Sequence, residues 1–185
     1  MEATQILREE HEVITRVIEA LEGAALAVEH GGDISPQFFL DAAQFVRGFA
    51  DGCHHKKEEN VLFPALVAHG MAVEGGPIGV MLAEHEQGRH AIRAMVAAAE
   101  RWAQGDLTAR AEVAHHARAY AALLRQHIEK ENHILFPLAE DILPAETQAH
   151  LVARFDHLEH EETGAGIHER YLALADRLCA AVSQA

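Results

Sequence analysis

The chain has 185 residues, a formal net charge of −14 and 15 histidines. This length suits one domain with a sizeable core. Aromatic residues make up only 5% of the chain and β-branched runs are short, which favours an all-α protein. The acidic charge argues against a nucleic-acid or anionic-membrane partner, because both need a basic protein face.

The sequence offers no signal for export or membrane insertion. No basic segment followed by an apolar stretch stands at its start, and no apolar run is long enough to span a bilayer, so a cytoplasmic protein is expected. Cys53 and Cys179 are far apart and lack CxxC spacing. Neither a disulfide framework nor a thiolate metal site is therefore predicted.

Hydrophobic periodicity predicts two helices in the first half of the chain. The first covers roughly residues 3 to 28, and His11 lies on its apolar stripe. The second runs from 36 to about 63 and carries His55 on its apolar side. Gly48 precedes His55 on this helix, and a glycine there suggests room for a group close to the backbone.

The second half repeats this organisation. A third helix is predicted from 77 to about 104, with His85 on its apolar side, and a fourth from 108 to 137. His127 and Glu131 share the inner face of the fourth helix. These elements predict an all-α, up-down-up-down four-helix bundle.

Two further helical stretches follow the bundle, one after Pro144 and one that ends near Val182. We assign residues 1–141 to the bundle and residues 142–185 to a C-terminal helical extension packed on the same domain. This extension lies outside the internal repeat, so it is expected to contribute no metal ligand. A cap over one end of the bundle or an oligomer contact is the expected role.

Short stretches recur in both halves and suggest two copies of one helical hairpin. The matching stretches are His-Lys-Lys-Glu-Glu-Asn at 55–60 and His-Ile-Glu-Lys-Glu-Asn at 127–132, Leu-Phe-Pro at 62–64 and 135–137, and Glu-His-Glu at 10–12 and 84–86. Each half thus offers one histidine and then one HxxxE pair. A lone HxxxE is usually an exposed helix pair, but its recurrence in this context favours a site.

Residues four apart lie on one helix face, so each HxxxE pair can offer an imidazole and a carboxylate to neighbouring metal ions. Six ionisable groups on apolar stripes would be costly to bury without a metal. Such mixed ligands suit iron, manganese or zinc, and the lack of thiolates excludes iron–sulfur clusters. The predicted ligands are His11, His55, Glu59, His85, His127 and Glu131.

The Glu58-Glu59 doublet leaves the first carboxylate ambiguous by one position. The match of His55 with His127 selects Glu59 as the ligand and leaves Glu58 in an outer or surface position. Most other histidines lie off the apolar stripes or in the extension. The histidines expected to be solvated are His54, His69, His115, His116, His133, His150, His157 and His160.

At these residues the sequence resembles the hemerythrin-like family, also called the HHE cation-binding domain, over roughly residues 4 to 140. The resemblance implies a left-handed four-helix bundle with two iron ions (Fe2+/Fe3+) joined by an oxo or hydroxo bridge. It implies that one histidine pair binds each iron and that both glutamates bridge the irons. The implied pairs are His11 with His55 and His85 with His127, and the bridging residues are Glu59 and Glu131.

Two departures separate this chain from the oxygen-carrying members of that family. Arg89 stands where the carriers have a second histidine on the third helix, and HxxxE replaces their HxxxxD. Arg89 is expected either to point into the cavity and pair with a carboxylate or an anion, or to reach solvent and pair with Glu86. A seventh ligand from His90, Glu84 or the C-terminal extension stays open.

The leading hypothesis is a binding protein that binds or senses dioxygen, nitric oxide or peroxide at a carboxylate-bridged dinuclear centre. No catalytic residue is assigned. Two other classes stay open: a di-iron enzyme or iron-handling protein that reduces peroxide or nitric oxide or repairs iron centres, and a bundle that zinc or another metal only staples. The oligomeric state is left open as well.

Overall fold

Four helical rods and two C-terminal helices make up the described chain, residues 2–159 and 166–182 of a computed structural model. The first rod is α1, Ala3–Glu29, and the third is α4, Pro77–Ala103. The second rod consists of α2, Pro36–Phe45, the π-helical segments Val46–His55 and Glu58–Leu62, and α3, Phe63–Ala68. The fourth rod consists of α5, Ala109–Lys130, the π-helical segment Glu131–Leu135, and α6, Phe136–Ile142. Helices α7, Ala145–His157, and α8, Ile167–Val182, follow. The predicted all-α helical bundle is confirmed.

Neighbouring rods run in opposite directions. α1 packs on α5, α5 on α4, and α4 on α2. His11 and His85 lie in the N-terminal halves of α1 and α4, whereas the HxxxE pairs lie late in the second and fourth rods. Because the rods are antiparallel, these four positions meet at one level of the bundle.

Both HxxxE regions lie beside π-helical turns that precede a proline. Pro64 and Pro137 stand in the first turn of α3 and α6, directly after a π-helical segment. A proline has no N–H, and its ring pushes against the carbonyl four residues earlier. The wider π turn gives that carbonyl room, so each rod continues past its proline. The helical structure therefore reaches Ala68 and Ile142, beyond the predicted ends at 63 and 137.

The apolar core is divided into two clusters. One cluster holds residues such as Ile14, Phe45 and Met95, and the other holds residues such as Leu7, Phe63 and Phe136. His11 lies one turn from both Leu7 and Ile14 on α1, so the predicted ligand level falls between the clusters. Apolar packing on both sides keeps water away from this polar layer and fixes its rotamers.

The two C-terminal helices take different places. α7 packs against α1 and the segment Glu58–Leu62, and Phe155 joins the second apolar cluster, so α7 covers the end of the bundle near the ligand level. α8 lies along α1 and α2 instead. A methyl group at Gly48 would stand 1.8 Å from the Tyr171 ring, so Gly48 leaves room for α8.

A membrane crossing needs a long and strongly apolar helix, and none of the helices within residues 2–159 and 166–182 meets that requirement.

Candidate metal centre

Five buried imidazoles are oriented by the same kind of contact. In each, the Nδ1 atom lies beside a side-chain oxygen: His11 with Asn132 at 2.9 Å, His54 with Glu10 at 2.9 Å, His55 with Asp51 at 3.4 Å, His85 with Glu59 at 2.6 Å, and His127 with Glu84 at 3.0 Å. Metal-binding histidines typically hold one ring nitrogen in this way and keep the other for the metal. The arrangement therefore prepares the other nitrogens for coordination.

The five imidazoles and two carboxylates form two adjoining clusters. Within each cluster the ligand atoms lie within 4.8 Å of one another. We call them the first cluster (His11, His54, Glu58 and Glu131) and the second cluster (His55, Glu58, His85 and His127). All of these side chains are buried. Glu58 belongs to both clusters, so the two positions are adjacent.

Both glutamates reach from one cluster to the other. Glu58 places one oxygen 3.6 Å from Nε2 of His54 and the other 3.4 Å from Nε2 of His85. Glu131 places its oxygens 3.1 Å from Nε2 of His11 and 3.3 Å from Nε2 of His127. Each carboxylate can thus give one oxygen to each of two metal ions.

The buried polar atoms at the centre fit metal ions. All four oxygens of Glu58 and Glu131, with Nε2 of His11 and of His54, are buried without a hydrogen-bond partner in the described structure. Leaving such groups unpaired is expensive. Two divalent cations would satisfy them together, and imidazole with carboxylate is a donor set that suits first-row transition metals.

Electrostatics separates the imidazoles of the second cluster. Burial raises the cost of charging His55 and lowers its pKa to about 3, so this ring is neutral. Burial also disfavours charging His85, but the nearby Glu58 and Glu59 carboxylates outweigh it and raise the pKa of His85 to about 9. Without a metal, a proton on His85 therefore balances part of the carboxylate charge.

A buried lysine supports the first cluster. Nζ of Lys57 donates a short hydrogen bond to Glu10, whose other oxygen holds His54, and a second one of 2.9 Å to Glu159. Lys57 is 0% exposed. Glu159 also pairs with His168 at 3.0 Å, so the C-terminal segment is linked to the centre. Burial opposes the charge on Lys57, but Glu10 outweighs this and raises the lysine pKa.

Glu10, Glu159 and His168 also lie close enough together to resemble a third metal site. The ammonium group of Lys57 already pairs with both carboxylates there. A buried ammonium provides the positive charge that a metal would otherwise provide. We therefore assign this group to the support of His54.

Arg89 joins the outer partners of the second cluster. Its guanidinium pairs with Asp51 at 2.6 Å, Glu59 at 2.8 Å and Glu86 at 2.6 Å. Both expected contacts, with a carboxylate beside the cavity and with Glu86, thus occur together. Asp51 holds the ring of His55, and Glu59 holds the ring of His85. Arg89 therefore fixes the partners of both rings.

The structure brings five of the six predicted ligands into the clusters: His11, His55, His85, His127 and Glu131. Glu59 lies in neither cluster, and its side chain is 24% exposed. The outer or surface position expected for Glu58 is wrong, because Glu58 is 0% exposed and belongs to both clusters. His54 was expected in solvent and is instead 1% exposed.

Among the residues that the structure describes, the candidates for a seventh ligand lie outside the clusters. His90 is exposed, and Glu84 is held by His127 and Lys130. His168 pairs with Glu159, while His160 lies outside the described residues. Five other histidines expected in solvent are exposed, and His116 is half-buried. The exposed ones are His69, His115, His133, His150 and His157.

Comparisons with known proteins identify the family of the chain. The chain is similar to an uncharacterized protein of Mycobacterium bovis and to uncharacterized proteins of two Mycobacterium tuberculosis strains, each 27% identical over 163 residues. The match covers 88% of this chain and 63% of each relative, so the chain spans less than two thirds of their length. No solved structure gives a significant match. The model of the hemerythrin HHE cation-binding domain matches residues 2–139, and the chain belongs to that family.

Proposed function

We propose that this protein holds two iron ions at the paired clusters and uses them to bind or sense dioxygen, nitric oxide or peroxide. The observation that supports this most is the shared orientation of five imidazoles around two buried carboxylates with unpaired oxygens. Iron in such a site supplies a redox-active centre that accepts small ligands. The protein's own contribution is to hold the ligands, exclude water and fix the imidazole orientations.

The two metal positions receive unequal protein ligands in this proposal. The first cluster supplies two imidazoles, His11 and His54, whereas the second supplies three. Glu58 and Glu131 can serve both positions. The position beside His11 and His54 therefore has one protein ligand fewer, and we expect a small exogenous ligand to bind there.

Metal analysis with optical spectroscopy of protein purified without air tests the proposal. We expect about two iron ions per chain, from the count of ligand clusters, and absorption bands that change reversibly with nitric oxide or dioxygen. Catalytic loss of peroxide or nitric oxide would instead indicate an enzyme. A colourless zinc form without any response to small ligands would contradict the proposal and indicate a structural metal.

Metal uptake is expected to release protons. The His85 pKa of about 9 means that this ring is protonated at pH 7 without metal, and its proton must leave before the ring coordinates. Titration calorimetry of metal-free protein with zinc, in two buffers of different ionisation enthalpy, should show release of about one proton or more per chain at pH 7. His85 should contribute less as the pH rises through 9. Heats that do not depend on the buffer at pH 7 would contradict this assignment.

Replacing Arg89 should weaken metal binding without abolishing it. Arg89→Ala frees Asp51 and Glu59, which orient two imidazoles, and loss of such outer partners typically costs about 10- to 100-fold in metal affinity. Competition with a chromophoric chelator measures this change. Arg101→Ala, which removes an exposed pair with Glu112, is the matched control and should bind metal like the wild type. Equal affinities for Arg89→Ala and Arg101→Ala would remove Arg89 from the support of the centre.

A further inference from the structure

A cavity of about 330 Å³ lies beside the second cluster, between the segment Val46–His55, α4 and α5. Val46, Ile92 and Leu124 provide apolar walls. His55 and His85 form part of the lining on the side of the clusters. The cavity therefore adjoins the candidate metal centre and extends away from it.

This volume is much larger than the proposed small ligands need. A water-sized molecule takes about 30 Å³, whereas binding sites for organic molecules begin near 300 Å³. Such sites are mostly apolar and carry a few polar groups that fix the orientation of the ligand. The walls of this cavity have that character, so an organic molecule of moderate size fits it better than a diatomic one.

Tyr120 brings a buried hydroxyl to the lining of this cavity. Tyr120 lines the cavity, is 1% exposed, and its hydroxyl has no hydrogen-bond partner among the described residues. Gly88 lies against the ring, since a methyl group there would stand 3.4 Å from it. A buried hydroxyl without a partner is costly, and a ligand atom that bonds to it would remove that cost.

Two arginines line the same cavity from exposed positions. Neither Arg47 nor Arg93 makes an ion pair with a described residue, although the protein has 29 acidic and only 15 basic residues. Arg89, which also lines the cavity, is already neutralised by three carboxylates. The unpaired guanidiniums offer charge-assisted hydrogen bonds to an anion, and carboxylates match their geometry.

We propose that this cavity binds an organic carboxylate with an apolar body, whose carboxylate pairs with Arg47 and Arg93 and whose inner end hydrogen-bonds to the Tyr120 hydroxyl. The ligand lies on the side of the three imidazoles and needs no metal ligand position. It thus differs in chemistry and place from the small ligand of the proposed function. Its contact with the wall formed by His55 and His85 would let the centre respond to it.

Titration calorimetry with matched probes tests this site in the full, metal-loaded protein. 4-Acetylbenzoate has the carboxylate and an inner carbonyl, 4-isopropylbenzoate has a similar shape without the carbonyl, and 4-acetylbenzamide lacks the charge. We expect 4-acetylbenzoate to bind most tightly. The double variant Arg47→Gln/Arg93→Gln should weaken both carboxylates by about 10-fold or more, since hydrogen bonds to charged groups contribute strongly.

Tyr120→Phe separates the inner contact from the rest. It should weaken 4-acetylbenzoate by about 2- to 10-fold and leave 4-isopropylbenzoate unchanged, because only the former loses a hydrogen bond. Absence of binding to the folded wild type would overturn the proposal. Equal affinities of the carboxylates for the wild type and the arginine variant would overturn it too. If the metal absorption bands also changed, the carboxylate would be bound to the metal. Calorimetry reports binding with iron or zinc present, so its result stands apart from the test of the proposed function.

Discussion

We expect Glu58→Ala to lose at least one of the two metals and to lower the melting temperature of the metal-loaded protein. The substitution removes a carboxylate that reaches His54 with one oxygen and His85 with the other. Loss of such a shared ligand should exceed the roughly 10- to 100-fold drop in affinity caused by loss of an outer partner. Because metal binding is coupled to folding, the melting temperature falls with metal content. Elemental analysis and calorimetry measure both effects.

Glu59→Ala is the matched comparison. Glu59 is the next residue along the chain and holds Nδ1 of His85 from outside, so its removal should leave both sites filled at saturating metal. Its metal affinity should fall only by the amount typical of outer partners. The reverse order, with the larger loss in Glu59→Ala, would return the ligand role to Glu59 and contradict the geometry of the clusters.

Lys57→Met should cause a large loss of stability although Lys57 lies outside both clusters. The change keeps most of the apolar part of the side chain but leaves Glu10 and Glu159 without their buried cation. Breaking one partner of a buried ion pair typically costs about 3–5 kcal/mol, a large share of a usual folding free energy of about 5–15 kcal/mol. Denaturant unfolding of the metal-free protein isolates this effect from metal binding.

A second variant tests the cause of that loss. Adding Glu10→Gln to Lys57→Met removes much of the uncompensated charge, so the double variant should recover part of the stability, while metal affinity stays low because His54 has lost its anionic partner. Arg101→Ala breaks an exposed pair and should change the free energy of unfolding by about 1 kcal/mol or less. If Lys57→Met is as mild as Arg101→Ala, the lysine does not stabilise the fold as a buried cation.

The rods and most inner histidines could be predicted because they follow helical periodicity. His11, His85 and His127 lie on apolar stripes, and the repeat of the hairpin relates their positions. The choice between adjacent residues is a different problem. In an α-helix one face cannot hold both His54 and His55, so a rule based on 3.6 residues per turn had to reject one of them.

The π-helical segment Val46–His55 changes that rule. Its wider turns bring His54 and His55 inward together, and the segment after it turns Glu58 inward and Glu59 outward. A signal for this was present in the sequence. Leu62 follows Glu58 by four residues, as Leu135 follows Glu131, so counting back from Leu-Phe-Pro selects Glu58. Counting from the histidine had selected Glu59.

Lys57 and its partners left no comparable signal. Lys57 stands in a charged run that reads as a solvated helix face, and Glu159 lies about a hundred residues away in the C-terminal segment. Contacts between distant residues of opposite charge depend on how the helices pack, which periodicity does not determine. The role of Arg89 was predictable only in part for the same reason, because its partners Asp51 and Glu59 come from another rod.

The position of α8 along α1 and α2 has a consequence for how the molecule unfolds. The family match ends at residue 139, yet Leu174 and Leu178 of α8 are buried in the same apolar cluster as Ile14 and Phe45. The boundary of the shared family domain is therefore not a boundary of cooperativity. Helices that share one core unfold together, so the whole chain should behave as a single thermodynamic unit. Destabilising the C-terminal helix should therefore also weaken metal binding.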